Sequence, residues 1–274
     1  MNFTVDTYTK AYTKKSDHHL YITPDPALQQ VVAHYTITFP NVDVKIPDHG
    51  VLNLIPDVSG CFVFHFKEDV SITVWGATTE VVTVENDLNR APCRFFVEFL
   101  PAGLHQVLGI DMKQYLNRKI DLKIINSILY NEIHECFQTM NTFDEIVTFM
   151  NQILIREIKK HPIEGSILQC IESIDRNHES VNAKEVAKKL QISERQLSRY
   201  FNNYVGMGIK KYSKIVTINH LLQNISQQNL IDLTFHYDYF DQAHFNHVFK
   251  EICGTTPTSY LKNLSDFYNE LYKF

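Results

Sequence analysis

The chain has 274 residues, of which 44% are hydrophobic and 21% charged, and a formal net charge of −5. That length suits one large or two ordinary domains, each able to bury its own core. No stretch approaches the roughly 18 consecutive apolar residues of a membrane span, and an acidic balance argues against a protein that coats nucleic acid along its whole surface. The five cysteines are scattered and never form a C-x-x-C pair, so a disulfide framework or zinc knuckle is not expected and a reducing cytoplasm fits. Met1 to Lys15 is polar and lacks the apolar core of a secretory signal.

The first hundred residues predict strands. Val31–Phe39, Val51–Ile55, Cys61–Phe66, Ile72–Trp75, Glu80–Val84 and Arg94–Phe99 are short β-branched and aromatic runs, separated by turn clusters such as Pro56-Asp57-Val58-Ser59-Gly60. In Cys61–Phe66, alternation puts Phe62, Phe64 and Phe66 on one face and Cys61, Val63 and His65 on the other. The expected architecture is a sandwich or small barrel.

From about Leu104 the apolar spacing turns helical. Leu122–Met140 and Thr142–Lys160 each carry a 3.6-period stripe, and Thr142 with Glu145 forms a capping-box pattern. His161-Pro162 ends the second helix, which places a domain boundary near residues 161–165. His134 and Cys136 are two apart and diverge on a helix, so they are not read as a metal pair.

The rest of the chain is helical and holds two similar stretches, about 181–206 and 229–254, each a short helix, a tight turn, a second helix and a glycine. In the first, Asn182 caps a helix containing Val186, Ala187 and Leu190. Gln191-Ile192 makes the turn and Ser193 caps the next helix. Leu197 and Phe201 form its buried stripe, leaving Arg195, Ser198, Arg199 and Asn202 on the face a recognition helix turns to the major groove. In the second, Leu230, Leu233 and Thr234 belong to the first helix and His236–Tyr239 to the turn. Asp241 caps the recognition helix, Phe245 and Phe249 anchor it, and Gln242, Ala243, His244, His247 and Lys250 lie on or beside the exposed face. Lys210–Ile225 reads as a linking helix of roughly 24 Å, able to hold two recognition helices about one DNA turn apart.

Charge separates the units. From Val181 to Lys214 eight basic residues face two acidic ones, a net of +6, whereas Asn229 to Lys262 nets −2. A local basic patch is the footprint of phosphate contact. The first unit is therefore expected to dominate affinity.

The segment from about Ser166 to Lys262 resembles the tandem helix-turn-helix domain of AraC-type regulators. The resemblance is carried by Ser193-Glu-Arg195-Gln196-Leu197-Ser-Arg199-Tyr-Phe201 with Gly206, and by Asp241-Gln242-Ala243-His244-Phe245-Asn-His247-Val-Phe249-Lys250 with Gly254-Thr-Thr-Pro257-Thr-Ser-Tyr260. It implies base and phosphate contacts from Arg195, Ser198, Arg199, Asn202, Gln242, Ala243, His244, His247 and Lys250. The chain departs from the family pattern at Asp238 (usually glycine), His247 (usually basic), Thr217 (usually arginine) and Ile209 (usually proline). The N-terminal part resembles an uncharacterised sensor-like domain through Pro24-Asp-Pro26-Ala-Leu28, Pro56-Asp57, Phe99-Leu-Pro101-Ala-Gly103 and Ile120-Asp121-Leu122.

Together these readings predict an α+β chain: a β-rich sensor or dimerisation domain over 1–162, with helices from about 104, then an all-α DNA-binding domain over 163–274. The expected function is sequence-specific, cytoplasmic transcription regulation on double-stranded DNA. A small-molecule effector would sit among Phe62, Phe64, Phe66, Trp75 and Phe96, a homodimer would form through the helical hairpin, and an activator would also meet RNA polymerase. The sequence shows no phosphate loop, nucleophile elbow, zinc motif or clustered metal ligands, so neither an enzyme nor a cofactor is expected. The alternative is a protein-interaction module that keeps the helix-turn-helix scaffold without DNA binding.

Overall fold

The structure, a computed structural model, describes residues 4–40, 51–66, 69–85, 93–177, 181–224 and 241–262. It is α+β. Among the described residues there are nine strands, the last of them after the first helix: β1 (Lys14–Lys15), β2 (His19–Ile22), β3 (Val32–Thr38), β4 (Val51–Leu54), β5 (Cys61–Phe66), β6 (Val70–Trp75), β7 (Val82–Glu85), β8 (Arg94–Phe99) and β9 (Lys119–Asp121). Seven form one antiparallel sheet in the order β1-β2-β3-β8-β5-β6-β9, and β4 pairs with β7 separately. Four of these segments follow the predicted runs closely. β1, β2 and β9 lie outside them. Each is short, and β9 is a three-residue edge strand held by pairing Lys119 with Trp75 and Asp121 with Thr73. Pairing across a sheet leaves no local periodicity to read.

Alternation divides the sheet into two faces. Tyr35, Ile37, Phe62, Phe64, Ile72, Val74, Phe95, Val97 and Phe99 are buried on one face. That face is covered by α3 (Ser127–Thr139) and α4 (Phe143–Ile158). Phe137 of α3 stacks on Phe64 at 5.3 Å between ring centroids, and Phe143 of α4 meets Phe66 edge-on at 5.8 Å. Tyr35 donates its hydroxyl hydrogen to Asn151 of α4 at 2.8 Å, which satisfies a polar tip at the edge of this core. On the other face, cross-strand neighbours run His34, Glu98, Cys61, Trp75 and Lys119 in one row, and Tyr21, Thr36, Phe96, Val63 and Thr73 in the next.

The expected single helix over Leu122–Met140 is instead α2 (Leu122–Ile125) followed by α3. Asn126 interrupts it, its backbone leaving helical geometry while its side chain accepts from Leu129 N–H at 3.0 Å as an N-cap. The capping box at Thr142 and Glu145 forms as read. Arg156 of α4 reaches Glu132 of α3 and Glu157 beside it, and Lys160 also donates to Glu157, so this nearly fully buried carboxylate has cations on two sides. His134 goes to Asp69, with 2.6 Å between Nε2 and the carboxylate.

α1 (Gly103–Leu108) leads from the sheet towards the C-terminal helices α5 (Gly165–Asn177), α6 (Ala183–Lys189), α7 (Glu194–Tyr204), α8 (Ile209–Asn224), α9 (Gln242–Cys253) and α10 (Pro257–Lys262). These helices share one hydrophobic cluster, and Val58, Ala77 and Ala102 of the N-terminal half belong to that cluster rather than to their own.

Candidate nucleic-acid interface

The first unit is built from α6, a turn and α7. Asn182 caps α6 by accepting from Lys184 N–H at 3.1 Å. Gln191 takes the left-handed conformation, φ +57°, which reverses the chain, and Ile192 N–H closes the turn on Ala187 carbonyl at 3.0 Å. Ser193 then starts α7 with a full capping box: its hydroxyl accepts from Gln196 N–H at 3.2 Å, and the Gln196 side chain accepts from Ser193 N–H at 3.0 Å. Ala187 is buried where the two helices cross, and Leu197 and Phe201 are buried along α7.

Those anchors fix what faces outward. Arg195, Ser198 and Arg199 are exposed. The Arg199 guanidinium lies 5.6 Å from the Tyr200 ring centroid, and Tyr200 stacks on Tyr204 at 5.8 Å, so an aromatic pair backs the arginine. Asn202 is half-buried and donates to Ser198 carbonyl at 2.6 Å and to Ser198 Oγ at 3.2 Å; a base contact from it would have to replace those bonds.

In the second unit, residues 225–240, with the expected first helix and the turn that includes Asp238, lie outside the described residues. α9 is described. Asp241 caps it by accepting from His244 N–H at 2.7 Å, and Phe245 and Phe249 are fully buried with their rings 5.7 Å apart. Gln242, Ala243, His244, His247 and Lys250 are all exposed. The structure thus gathers the expected residues onto two outward helix faces. The effector candidates it divides: Phe62, Phe64 and Phe66 point to the helix-covered face of the sheet, Trp75 and Phe96 to the other. Phe62 and Phe64 pack tightly there, at 5.0 Å from Phe99 and 5.4 Å from Phe95. Lys119 Nζ sits 3.7 Å above the Trp75 ring.

Sequence reading missed Glu251. It follows His247 by one turn of α9 and accepts from Lys211 Nζ of α8 at 2.9 Å, with Lys214 Nζ 3.7 Å from its other oxygen. The Lys211 hydrogen bond and the nearby cations hold its carboxyl below the usual glutamate range, against desolvation. Two of the cations counted in the first unit's basic patch therefore bind the second unit's acid. The signal available in the sequence was the i,i+4 placement of Glu251 after His247; its partners are about forty residues away.

α8 connects the units and is buried on most sides, with Tyr212, Ile215, Val216, Ile218 and Leu222 in the core and Lys210 and Lys214 exposed. Ile209 is buried at its start, and Thr217 turns inward to donate to Ser213 carbonyl at 2.9 Å. The N-terminal half touches all three parts of this module. The His105 ring of α1 lies 4.7 Å from the Tyr204 ring of α7, and burial holds the imidazole below its ordinary pKa. Asn219 of α8 donates to Pro56 carbonyl at 3.1 Å. A Cβ at Gly254, just past α9, would lie 3.4 Å from Val81 Cγ2, so Val81 comes close to the end of α9.

Residues 186–263 match the family described as a helix-turn-helix domain, and residues 20–121 match a domain of unknown function, DUF6597. A relative, PqrA of Proteus vulgaris, described as a probable transcription factor, is 22% identical over 103 residues, which is 37% of this chain and 84% of that protein. Among solved structures, an apo ToxT variant from Vibrio cholerae is similar with a TM-score of 0.44 at 10% identity, covering 80% of this chain and 95% of that one. A second ToxT structure, from Vibrio cholerae O395, has a TM-score of 0.37 at 13% identity, covering 80% and 98%. Among the described residues, no helix is long and apolar enough to cross a membrane. A DUF6597 domain is thus followed in this chain by an AraC-type helix-turn-helix domain, which supports a DNA-binding regulator of transcription.

Proposed function

We propose that the chain reads double-stranded DNA sequence-specifically, with α7 and α9 entering successive major-groove segments, in the bacterial cytoplasm. The observation that carries this reading is the outer face of α7: Leu197 and Phe201 are buried beneath it while Arg195, Ser198 and Arg199 stand exposed. Arginine can donate twice to a guanine edge, and one such pair discriminates by about 1–3 kcal/mol. The N-terminal domain, taken as 1–162, conditions the 163–274 module. Its contacts with α7, α8 and the end of α9 give a route by which a small effector or homodimerisation would alter how the units are held. For the effector, the sheet face carrying Trp75 and Phe96 is the better candidate, because Phe62 and Phe64 already fill a packed core. RNA polymerase is a further partner if the protein activates.

The test is to map occupied sites in cells and titrate the recovered fragments with full-length protein. Tight binding that falls steeply with salt, and is lost on exchanging Arg195 and Arg199 together for alanine, is the expected result. Binding no stronger than to random DNA at about 0.15 M salt would overturn it. The Glu251 pairing and the acidic balance of the second unit favour one competing reading, a protein-interaction module on the same scaffold, which predicts that second outcome.

A further inference from the structure

We propose that Glu251 acts as an internal stand-in for a DNA phosphate, holding Lys211 and Lys214 until the backbone beside the second recognition helix displaces it. The inference rests on the reading that α9 lies against DNA. Lys211 and Lys214 are one turn apart on α8 and converge on the two oxygens of one carboxylate, at 2.9 and 3.7 Å. Glu251 shares a face of α9 with His244 and His247, at i+7 and i+4, so the triad borders the surface that would meet the groove. Backbone phosphates flank a major groove at that edge, and lysine engages them as a point charge.

The three side chains are 32%, 50% and 39% exposed. An ion pair this wet contributes little net stability, and its partners can exchange by rotamer changes alone. A phosphate can therefore take over both lysines without local unfolding. While the acid is in place, its charge opposes phosphate and two cations are withheld from counterion release. Glu251 is then a positioning residue that lowers the affinity of the second unit through Lys211 and Lys214.

The experiment measures the affinity of the full-length protein for one of its own sites over a salt series, for wild type, E251Q, E251D, K211Q/K214Q and the triple exchange. E251Q is expected to bind about 3–10-fold tighter at about 0.1 M salt, with a log–log salt slope steeper by about 1–2. E251D keeps the net charge but shortens the reach to the lysines, so its gain should be intermediate. In the K211Q/K214Q background, E251Q should keep only the small gain from removing its own repulsion of phosphate and should not steepen the slope. An equal gain with and without the lysines, together with no gain for E251D, would reduce the effect to bulk charge and overturn the proposal. So would unchanged binding by E251Q that melts like wild type. Absence of salt-dependent binding by the wild type would instead sink the DNA-binding reading, and this inference with it.

Discussion

Between α5 and α8, the Asp175 carboxylate accepts a hydrogen bond from the Tyr212 hydroxyl at 2.6 Å, and Tyr212 is fully buried. Burial pushes the Asp175 pKa up to about 6 even though the tyrosine bond pulls it down, and burial beside that carboxylate sends the phenol well above its usual range. A carboxyl whose folded pKa is raised binds its proton more tightly in the native state. Its protonated form favours folding most below the unfolded value near 3.8, and that contribution is lost as pH rises through about 6. At pH 7.5 the native state thus carries a charged group that the interior disfavours. Asp175→Asn keeps an acceptor for Tyr212 and removes the charge, so it should stabilise the protein by about 1–3 kcal/mol at pH 7.5. The gain should shrink as pH falls below 6. Denaturant unfolding of both proteins at pH 5 and pH 7.5 checks this; an equal difference at the two pH values would show that the charge is not responsible.

At the scale of helices, the two recognition elements are similar in architecture and unequal in charge. α7 presents Arg195 and Arg199, the latter backed by Tyr200. α9 presents His244, His247 and Lys250, with Glu251 alongside holding two lysines of the linking helix. Arg199→Ala should therefore weaken specific DNA binding by about 1–3 kcal/mol, and His247→Ala by clearly less. Fluorescence titrations at one fixed salt concentration measure both; equal losses would contradict the asymmetry. Much of this element was legible in advance because its determinants are local. The Ser193–Gln196 cap, the Leu197/Phe201 spacing and the Asp241 cap all act within four residues. The same holds for the capping box at Thr142. What escaped was non-local. Asn126 splits a helix because its side chain offers the backbone a cap in place of continued helix. Lys211 meets Glu251 only after the chain has folded back across the second unit, and β9 exists only because Trp75 and Thr73 are there to pair with it.

Across the whole molecule, the sequence division near residue 162 does not coincide with the division of the cores. Val58, Ala77 and Ala102 lie in N-terminal loops, yet they belong to the buried cluster that holds Leu197, Phe201, Val205 and Tyr212 rather than to the sheet core of Phe62, Phe64 and Phe95. Gly206, directly after α7, takes φ +91°, and a Cβ there would come within 2.9 Å of the Met112 carbonyl oxygen, so the backbones of the two halves approach too closely for a side chain. Composition and periodicity report which residues are buried but not against what. If the shared cluster is one cooperative unit, a defect on its N-terminal side must loosen helices more than a hundred residues away. Ala77 is 1% exposed, so Ala77→Asp would bury an unpaired carboxylate in that cluster and destabilise it by about 2–4 kcal/mol. Hydrogen exchange of the full chain should then show α7 and α8 amides losing protection along with the 76–78 loop. Phe64→Ala, in the other core, should cost about 3–5 kcal/mol but act first on the sheet and on α3. If α7 and α8 exchanged at wild-type rates in Ala77→Asp, the halves would be mechanically independent. The proposed route from an N-terminal effector to the recognition helices through this shared cluster would then be lost.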